Sequence, residues 1–214
     1  MFDTWSFLLF LMAAVVIAAT PGPGIFYVAA RTLSGGREEG VASSLGTAAG
    51  GLVHVGAGAF GVSAIILASA ELFTALKLVG AIYLLWLGIK TIREAQIMNL
   101  DQVESTGANR AFRQGIVVEA LNPKTAAFFL AFIPQFIEPD AGHVALQFAV
   151  LGLISVTLNT AADIAVVFLA SAARRGISRE PHFIRRLRQG SGLIISALGL
   201  SLALSSRPGR GIDP

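Results

Sequence analysis

Cysteine is absent from all 214 residues, which excludes disulfide scaffolds, thiolate metal sites and thiol nucleophiles together and leaves the redox compartment open. Charge is scarce: Asp, Glu, Lys and Arg make up 14% of the chain, where a soluble domain carries roughly 25%. The three histidines, His54, His143 and His182, lie far apart without metal-ligand spacing. Neither Gly-x-Ser-x-Gly nor His-Glu-x-x-His occurs, and Asp163 is the only aspartate deep in an apolar stretch. A serine-hydrolase elbow, a zinc protease and a paired-aspartate intramembrane protease therefore lack their residues, and the chain is read as no enzyme needing no cofactor. Strand-like alternation over about ten residues is missing as well, which argues against a transmembrane barrel.

What remains is hydrophobic. Apolar residues reach 54%, with 23 glycines and a mean hydropathy of +0.71. Charge-free runs divide this material. Between Asp3 and Arg31 lie 27 uncharged residues and between Glu39 and Glu71 lie 31, each enough to cross a hydrocarbon core of about 30 Å as a helix. Leu72–Ile92 is apolar apart from Lys77 and Lys90 near its ends, where ammonium groups can snorkel. A polar stretch, Arg93–Arg113, reads as a loop. Three more runs follow, Gly115–Ile137, about Val144–Ala172 and about Gly190–Ser206. The fold expected is all-α: one transmembrane domain over 1–214 with six spanning helices. Trp5–Ala19 has the apolar core of a secretory leader, but the n-region holds Asp3 and no basic residue, and the run continues past the prolines, so a first span is preferred.

Alternating sides sort the basic residues. Arg31, Arg37, Lys90, Arg93, Arg110, Arg113, Arg174, Arg175, Arg179, Arg185, Arg186 and Arg188 fall on one side; Lys77, Arg207 and Arg210 fall on the other, and Lys124 lies inside a span. By the positive-inside rule the first group is cytoplasmic and both termini are extracytoplasmic. The pI near 9.8 is then a topology signal, with lipid bilayer and no nucleic acid as the partner of the arginine-rich loop.

Two halves, about 1–92 and 113–206 joined by the cytoplasmic loop 93–112, would have opposite orientations in the membrane. Thr20-Pro21-Gly22-Pro23-Gly24-Ile25-Phe26-Tyr27-Val28-Ala29 aligns with Asn122-Pro123-Lys124-Thr125-Ala126-Ala127-Phe128-Phe129-Leu130-Ala131, sharing proline, phenylalanine and alanine. That predicts a 3+3 inverted-topology repeat with a helix break in corresponding spans, a sequence pointer to a transport site. Pro21 and Pro23 deprive the carbonyls of Ile17 and Ala19 of helical partners, and Pro123 does the same to Glu119. Freed carbonyls can accept from a cation or an ammonium, and resuming helix N-termini can hold a carboxylate. The alternative is that the prolines merely kink spans for packing.

Lys124 lies about 16 Å along the helix from Arg113, too deep to reach headgroups easily, and needs a partner. Glu119 and Asp163 are the candidates, as a structural pair or as parts of a site. Asp163 shares a face with Ser155 and Asn159, and Ser43, Thr47, Gly50 and His54 share another, so both faces are expected to line a polar cavity. Glu119 either belongs to it or is hydrated near the interface. His54 is a proton carrier or, more in keeping with its surroundings, a packing histidine. Gly46-xxx-Gly50 reads as a close-packing position.

These residues resemble those of the LysE/RhtB (resistance to homoserine/threonine) family of bacterial amino-acid exporters over almost the whole chain. The pieces that carry the resemblance are Thr20-Pro21-Gly22-Pro23-Gly24, Gly80-Ala81-Ile82-Tyr83-Leu84-Leu85-Trp86-Leu87-Gly88, Asn122-Pro123-Lys124, and a basic segment leading into Gly192-Leu193 and Gly199-Leu200. It implies a six-helix inner-membrane exporter of amino acids or related small metabolites, driven by protons. In the family an asparagine often follows the second proline of the first motif, where this chain has Gly24. The reading is proton-coupled antiport of a neutral or basic amino acid by alternating access. Thr20 to Gly24, Asn122, Pro123 and Lys124 would hold cargo, and Asp163, with Glu119 or His54, would hold the ammonium or exchange the proton. A homodimer is left open. The alternatives are a cation or metal exporter of the wider superfamily, an intramembrane enzyme and a non-transporting scaffold.

Overall fold

The computed structural model describes residues 4–93, 104–173 and 181–204, and the expected basic residues Arg174, Arg175, Arg179, Arg207 and Arg210 lie outside them. The described residues are helical almost throughout, with no strand, so the protein is an all-α membrane bundle. Its helices are α1 (Thr4–Ala19), α2 (Pro23–Ala57), α3 (Ser63–Ala68), α4 (Ala70–Arg93), α5 (Ala108–Ala120), α6 (Pro123–Ala127), α7 (Val144–Ala173) and α8 (Pro181–Leu204). A π-helical turn, Gly58–Val62, joins α2 to α3, and another, Phe128–Phe132, continues α6 into a 3-10 turn at Ile133–Phe136.

α2 is two helices. Gly36, with φ 81 and ψ −166, is not helical, and its positive φ is one that a residue with a Cβ rarely adopts. The chain reverses there, since a Cβ on Gly40 would collide with the side chain of Thr32, eight residues earlier. The turn expected between Arg31 and Glu39 is thus reduced to a single glycine. Residues 23–35 and 37–57 form two separate arms.

Several boundaries differ from those the charge pattern predicts. Arg93–Arg113 is not all loop, because α5 starts at Ala108. The buried Glu39 sets that start: its Oε1 accepts from Ser105 Oγ (2.6 Å), Thr106 N (2.9 Å) and Gly107 N (2.7 Å), which places a carboxylate at the positive end of α5. The last helix begins at Pro181, nine residues before the apolar run at Gly190. Among the described residues three helical stretches are long and apolar enough to cross a membrane by length and composition, Pro23–Ile65, which Gly36 divides, Thr74–Arg93 and Val144–Ala172. The pair Ala108–Ala120 and Pro123–Phe136, bent by 41°, makes a fourth. α1 is cut to 16 residues by the prolines that follow it, so this measure supports fewer than the six spans expected.

Glycines set the packing. Gly46 and Gly50 of α2 lie against the backbone of α5 at Phe112 and Ile116, and Gly115 of α5 lies against Ser43 and Gly46 in return. α4 and α8 meet in the same way, through Gly88, Gly192 and Gly199, while Gly80 of α4 touches Ala131. Phe10, Phe129, Phe148, Leu84, Ile133, Leu151 and Ile195 fill the core between these pairs. Large apolar side chains such as Phe60, Val79, Ile82 and Leu169 are exposed, as an outer surface solvated by lipid requires. Buried Gln147 closes the turn before α7 by bonding Glu138 through both its N–H and C=O and by donating to the Gly142 carbonyl.

Gly46→Ala places a methyl against the Phe112 carbonyl, whereas a methyl at Gly56 meets nothing within 4 Å. Thermal unfolding of detergent-purified protein should show Gly46→Ala destabilised by about 1–3 kcal/mol and Gly56→Ala unchanged or slightly stabilised. Equal effects at the two positions would contradict the α2–α5 contact.

Candidate functional site

Each proline break has a local cause. In the first, the Thr20 hydroxyl bonds back to the Val16 carbonyl (2.7 Å), α1 stops at Ala19, and Pro23 starts α2 at the one position where its missing N–H costs nothing. In the second, Asn122 is the N-cap of α6, its Oδ1 accepting from Lys124 N (3.1 Å), with Pro123 at the first helical position. Asn-Pro-Lys is therefore a cap, a start and a cation aimed from the first turn.

Lys124 is 4% exposed, and its ammonium donates to the carbonyls of Ile17 (3.0 Å) and Thr20 (2.8 Å). This corrects the expected partner: the ammonium's hydrogen bonds go to backbone at the broken end of α1, not to Glu119 or Asp163. The reason is the pair of prolines, which leaves carbonyls there at the negative end of a helix. Gly22 makes room, since a Cβ on it would sit 3.1 Å from Lys124 Cε. The other freed carbonyl is closed in the same manner: Glu119 O accepts from Asn122 N (3.0 Å) and lies 2.9 Å from His54 Nε2. His54 also packs its ring on Phe129, 5.6 Å away.

Glu119 is buried, with Asn122 Nδ2 donating to one oxygen (2.8 Å) and Thr125 Oγ1 to the other (2.6 Å). Gly24 faces the same carboxylate, and a Cβ there would lie 2.7 Å from Oε2. Asp163, also buried, has its Oδ2 2.7 Å from Thr47 Oγ1, which lies 2.8 Å from the Ser44 carbonyl as well. A hydroxyl has one hydrogen, so both short contacts are fully satisfied only when the carboxyl itself donates to Thr47.

Two cavities adjoin Lys124. The larger, about 640 Å³, is bounded by Pro21, Gly22, Pro23, Pro123 and Lys124 at one end and by Arg31, Lys90 and Thr91 at the other. Its walls are Phe26 and Tyr27 of α2 and Tyr83, Trp86 and Leu87 of α4. From Pro23 to Arg31 along the helix is about 12 Å, so the cavity runs from the breaks to the arginine- and lysine-bearing ends of its helices. The smaller, about 20 Å³, has room for about one water and is lined by Thr47, Glu119, Asn122, Asn159 and Asp163 among others. The breaks, Lys124 and Gly24 thus meet the residues expected with them.

The remaining candidates are dispersed. Ser43 and Ser155 line neither cavity; their hydroxyls bond back to Glu39 O and Leu151 O on their own helices. His54 lines neither cavity. Among the described residues no group of three or more His, Asp or Glu side chains is placed to hold a metal ion. In the sequence Arg31 and Lys90 mark sidedness and helix ends, and Tyr27, Tyr83 and Trp86 appear within the motifs without a place in the site. Their spacing was a signal: Pro23, Tyr27 and Arg31 recur every four residues from the break, as Tyr83, Trp86 and Lys90 recur at three and four.

An all-α membrane bundle with broken helices around a cavity is the architecture of a small-molecule translocator. The LysE type translocator family matches residues 15–206, and the chain belongs to it. The chain is 31% identical to an uncharacterized membrane protein of Vibrio cholerae over 94% of its own length and 98% of the relative's. It is 29% identical to the threonine efflux protein of Escherichia coli K12 (93% and 98% covered) and 28% identical to the homoserine/homoserine lactone efflux protein of Salmonella typhimurium (94% and 97%). No solved structure matches. Membership of this family makes the protein a multi-pass membrane translocator rather than an enzyme.

Glu119→Leu removes the acceptor of both Asn122 Nδ2 and Thr125 Oγ1, and Asn122 cannot turn elsewhere without withdrawing its cap from Lys124 N. Thermal unfolding should show a loss of about 1–2 kcal/mol. An unchanged melting temperature would mean that Glu119 is not held by these two bonds.

Proposed function

We propose that the protein exports an amino acid or related small carboxylate-bearing metabolite across the bacterial inner membrane by proton-coupled antiport. The observation that carries this reading is the Lys124 ammonium, held between the two proline breaks, in the lining of a large cavity. Two of its three donors are engaged by carbonyls, and the third is available to a cargo carboxylate. The cavity extends toward Arg31 and Lys90, on the side that the positive-inside rule makes cytoplasmic, as loading of an exporter requires. Relatives named as threonine and homoserine efflux proteins support the class of cargo and the direction.

Asp163 is the proton carrier in this scheme. Its pocket holds about one water, too little for cargo and enough for a proton, and the shared Thr47 hydroxyl favours a carboxyl that carries hydrogen. Glu119, tied by two donors, acts as a fixed counter-charge, and His54 supports the second break. The two breaks support the 3+3 inverted repeat, with six spans, one domain and both termini outside. Alternating access then moves the α4–α8 pair, joined by close glycine contacts, relative to α2 and α5, which are joined likewise.

Efflux from preloaded cells, at equal expression, tests both roles. Lys124→Ala should lower export by about tenfold or more, the equivalent of about 1.4 kcal/mol or more of carboxylate binding. Asp163→Asn, which imitates the protonated carboxyl, should keep cargo exchange but lose acceleration by a pH gradient. Variants that export like the unmodified protein would refute the assignment.

A further inference from the structure

We propose that the large cavity selects an amino acid with a large apolar side chain, aromatic or branched aliphatic, over a small hydroxylated one, and that Tyr83 and Trp86 set the preference. This rests on the reading of that cavity as the export site, with the cargo carboxylate at Lys124, and specifies the cargo's side chain.

Contacts within the bundle put those two rings at the depth of the ammonium. Gly80 of α4 touches Ala131, beyond the second break. Seven residues back from Ala131 is Lys124, and seven residues on from Gly80 is Leu87, each about 10 Å along its helix toward the cavity that both line. Leu87 is therefore the residue of α4 that comes level with Lys124, with Trp86 beside it and Tyr83 one turn away. Trp86, half-exposed, forms the rim, and Tyr83 lies further in. Phe26 and Ile195 face the same space from α2 and α8. A cargo whose carboxylate takes the third hydrogen of Lys124 extends its side chain among rings and aliphatic carbons.

This wall offers little to a cargo hydroxyl. Tyr27 Oη already donates to Ala111 O (2.7 Å) and Thr91 Oγ1 to Leu87 O (2.8 Å), so both hydrogens are spent on backbone. Tyr83 bears the lining hydroxyl that has no hydrogen bond among the described residues. A side-chain hydroxyl pressed against carbon loses its water without replacement, whereas an apolar side chain gains with the surface it buries. The Tyr83 ring lies 5.6 Å from that of Trp86, and the Lys90 ammonium 5.0 Å from the centre of the latter, so the aromatic surface is assembled before cargo arrives. A wall of this kind spares binding the ordering of its own side chains. About 640 Å³ falls within the roughly 300–1,000 Å³ of pockets that enclose drug-sized ligands, and a cargo the size of threonine would leave most of it to water.

The test uses the full-length protein, purified for equilibrium binding of radiolabelled phenylalanine, leucine and threonine and reconstituted in liposomes for counterflow of each. Phenylalanine and leucine should bind about tenfold tighter than threonine. Tyr83→Ala and Trp86→Ala should each weaken phenylalanine and leucine by about fivefold and threonine by less, and Tyr83→Phe, which keeps the ring, should lose less than Tyr83→Ala. Threonine bound as tightly as the other two, binding of none of the three, or variants that weaken all three alike overturns the preference. A loss in Tyr83→Phe as large as that in Tyr83→Ala overturns it too, since the hydroxyl would then be the recognised group. Should an alanine variant not fold, the order of the three amino acids on the unmodified protein still decides. If threonine is bound and exchanged best, the export reading stands and the side-chain preference falls. If phenylalanine and leucine bind best and nothing is exchanged, the preference stands and the export reading falls.

Discussion

The contact on which the site depends is the one between the Lys124 ammonium and the carbonyls of Ile17 and Thr20. Prolines that interrupt a helix in an apolar medium leave acceptors that water cannot reach, and each must find a donor within the protein. Here the donor comes from the first turn of another interrupted helix. A positive charge at the negative end of α1 answers the helix dipole as well as the hydrogen-bonding demand. His54 stands at the carbonyl freed by Pro123 in the corresponding way. Each break is closed by a side chain from a different helix, so the two breaks and the elements around them are held in register.

That arrangement also separates charges. Lys124 is the one residue that presents to both cavities a side chain able to carry positive charge, with Glu119 and Asp163 behind it and the aromatic chamber in front. Closely spaced hydrogen bonds hold Glu119, whereas Asp163 shares a single hydroxyl hydrogen with a backbone carbonyl. In the scheme proposed above, the first carboxylate stays as it is and the second changes its proton. A pocket for one water and a chamber for a whole metabolite can then serve two ions of different size from the two sides of one ammonium.

Much of this was legible in residue order, because hydropathy and proline act locally. α4 and α7 lie within two residues of the apolar runs that predict them, and both breaks fall at the prolines. The motif of the second break explains itself within three residues, as cap, first helical position and cation. Contacts between distant residues were not legible. Nothing in the stretch before Ala108 announces that Glu39 will collect Ser105, Thr106 and Gly107 and start a helix there. Charge alone points Lys124 to a carboxylate, and its hydrogen bonds go instead to backbone carbonyls, which carry no mark in a sequence. The serine faces misled for a related reason: a hydroxyl in an apolar helix can bond its own carbonyl four residues back, and Ser43 and Ser155 do.

The claim beneath all of this is that Lys124 forms the floor of a water-filled chamber open to the basic side of the membrane. Since the chain has no cysteine, Val118→Cys, in the wall next to the break, gives a unique thiol. Its modification by membrane-impermeant anionic and cationic methanethiosulfonates, applied separately to each face of oriented vesicles, tests the claim directly. The account predicts reaction from the basic face, faster with the anionic reagent, and a smaller anionic advantage when Lys124→Met is added. Reaction only from the opposite face, or a preference for the cationic reagent, would contradict it.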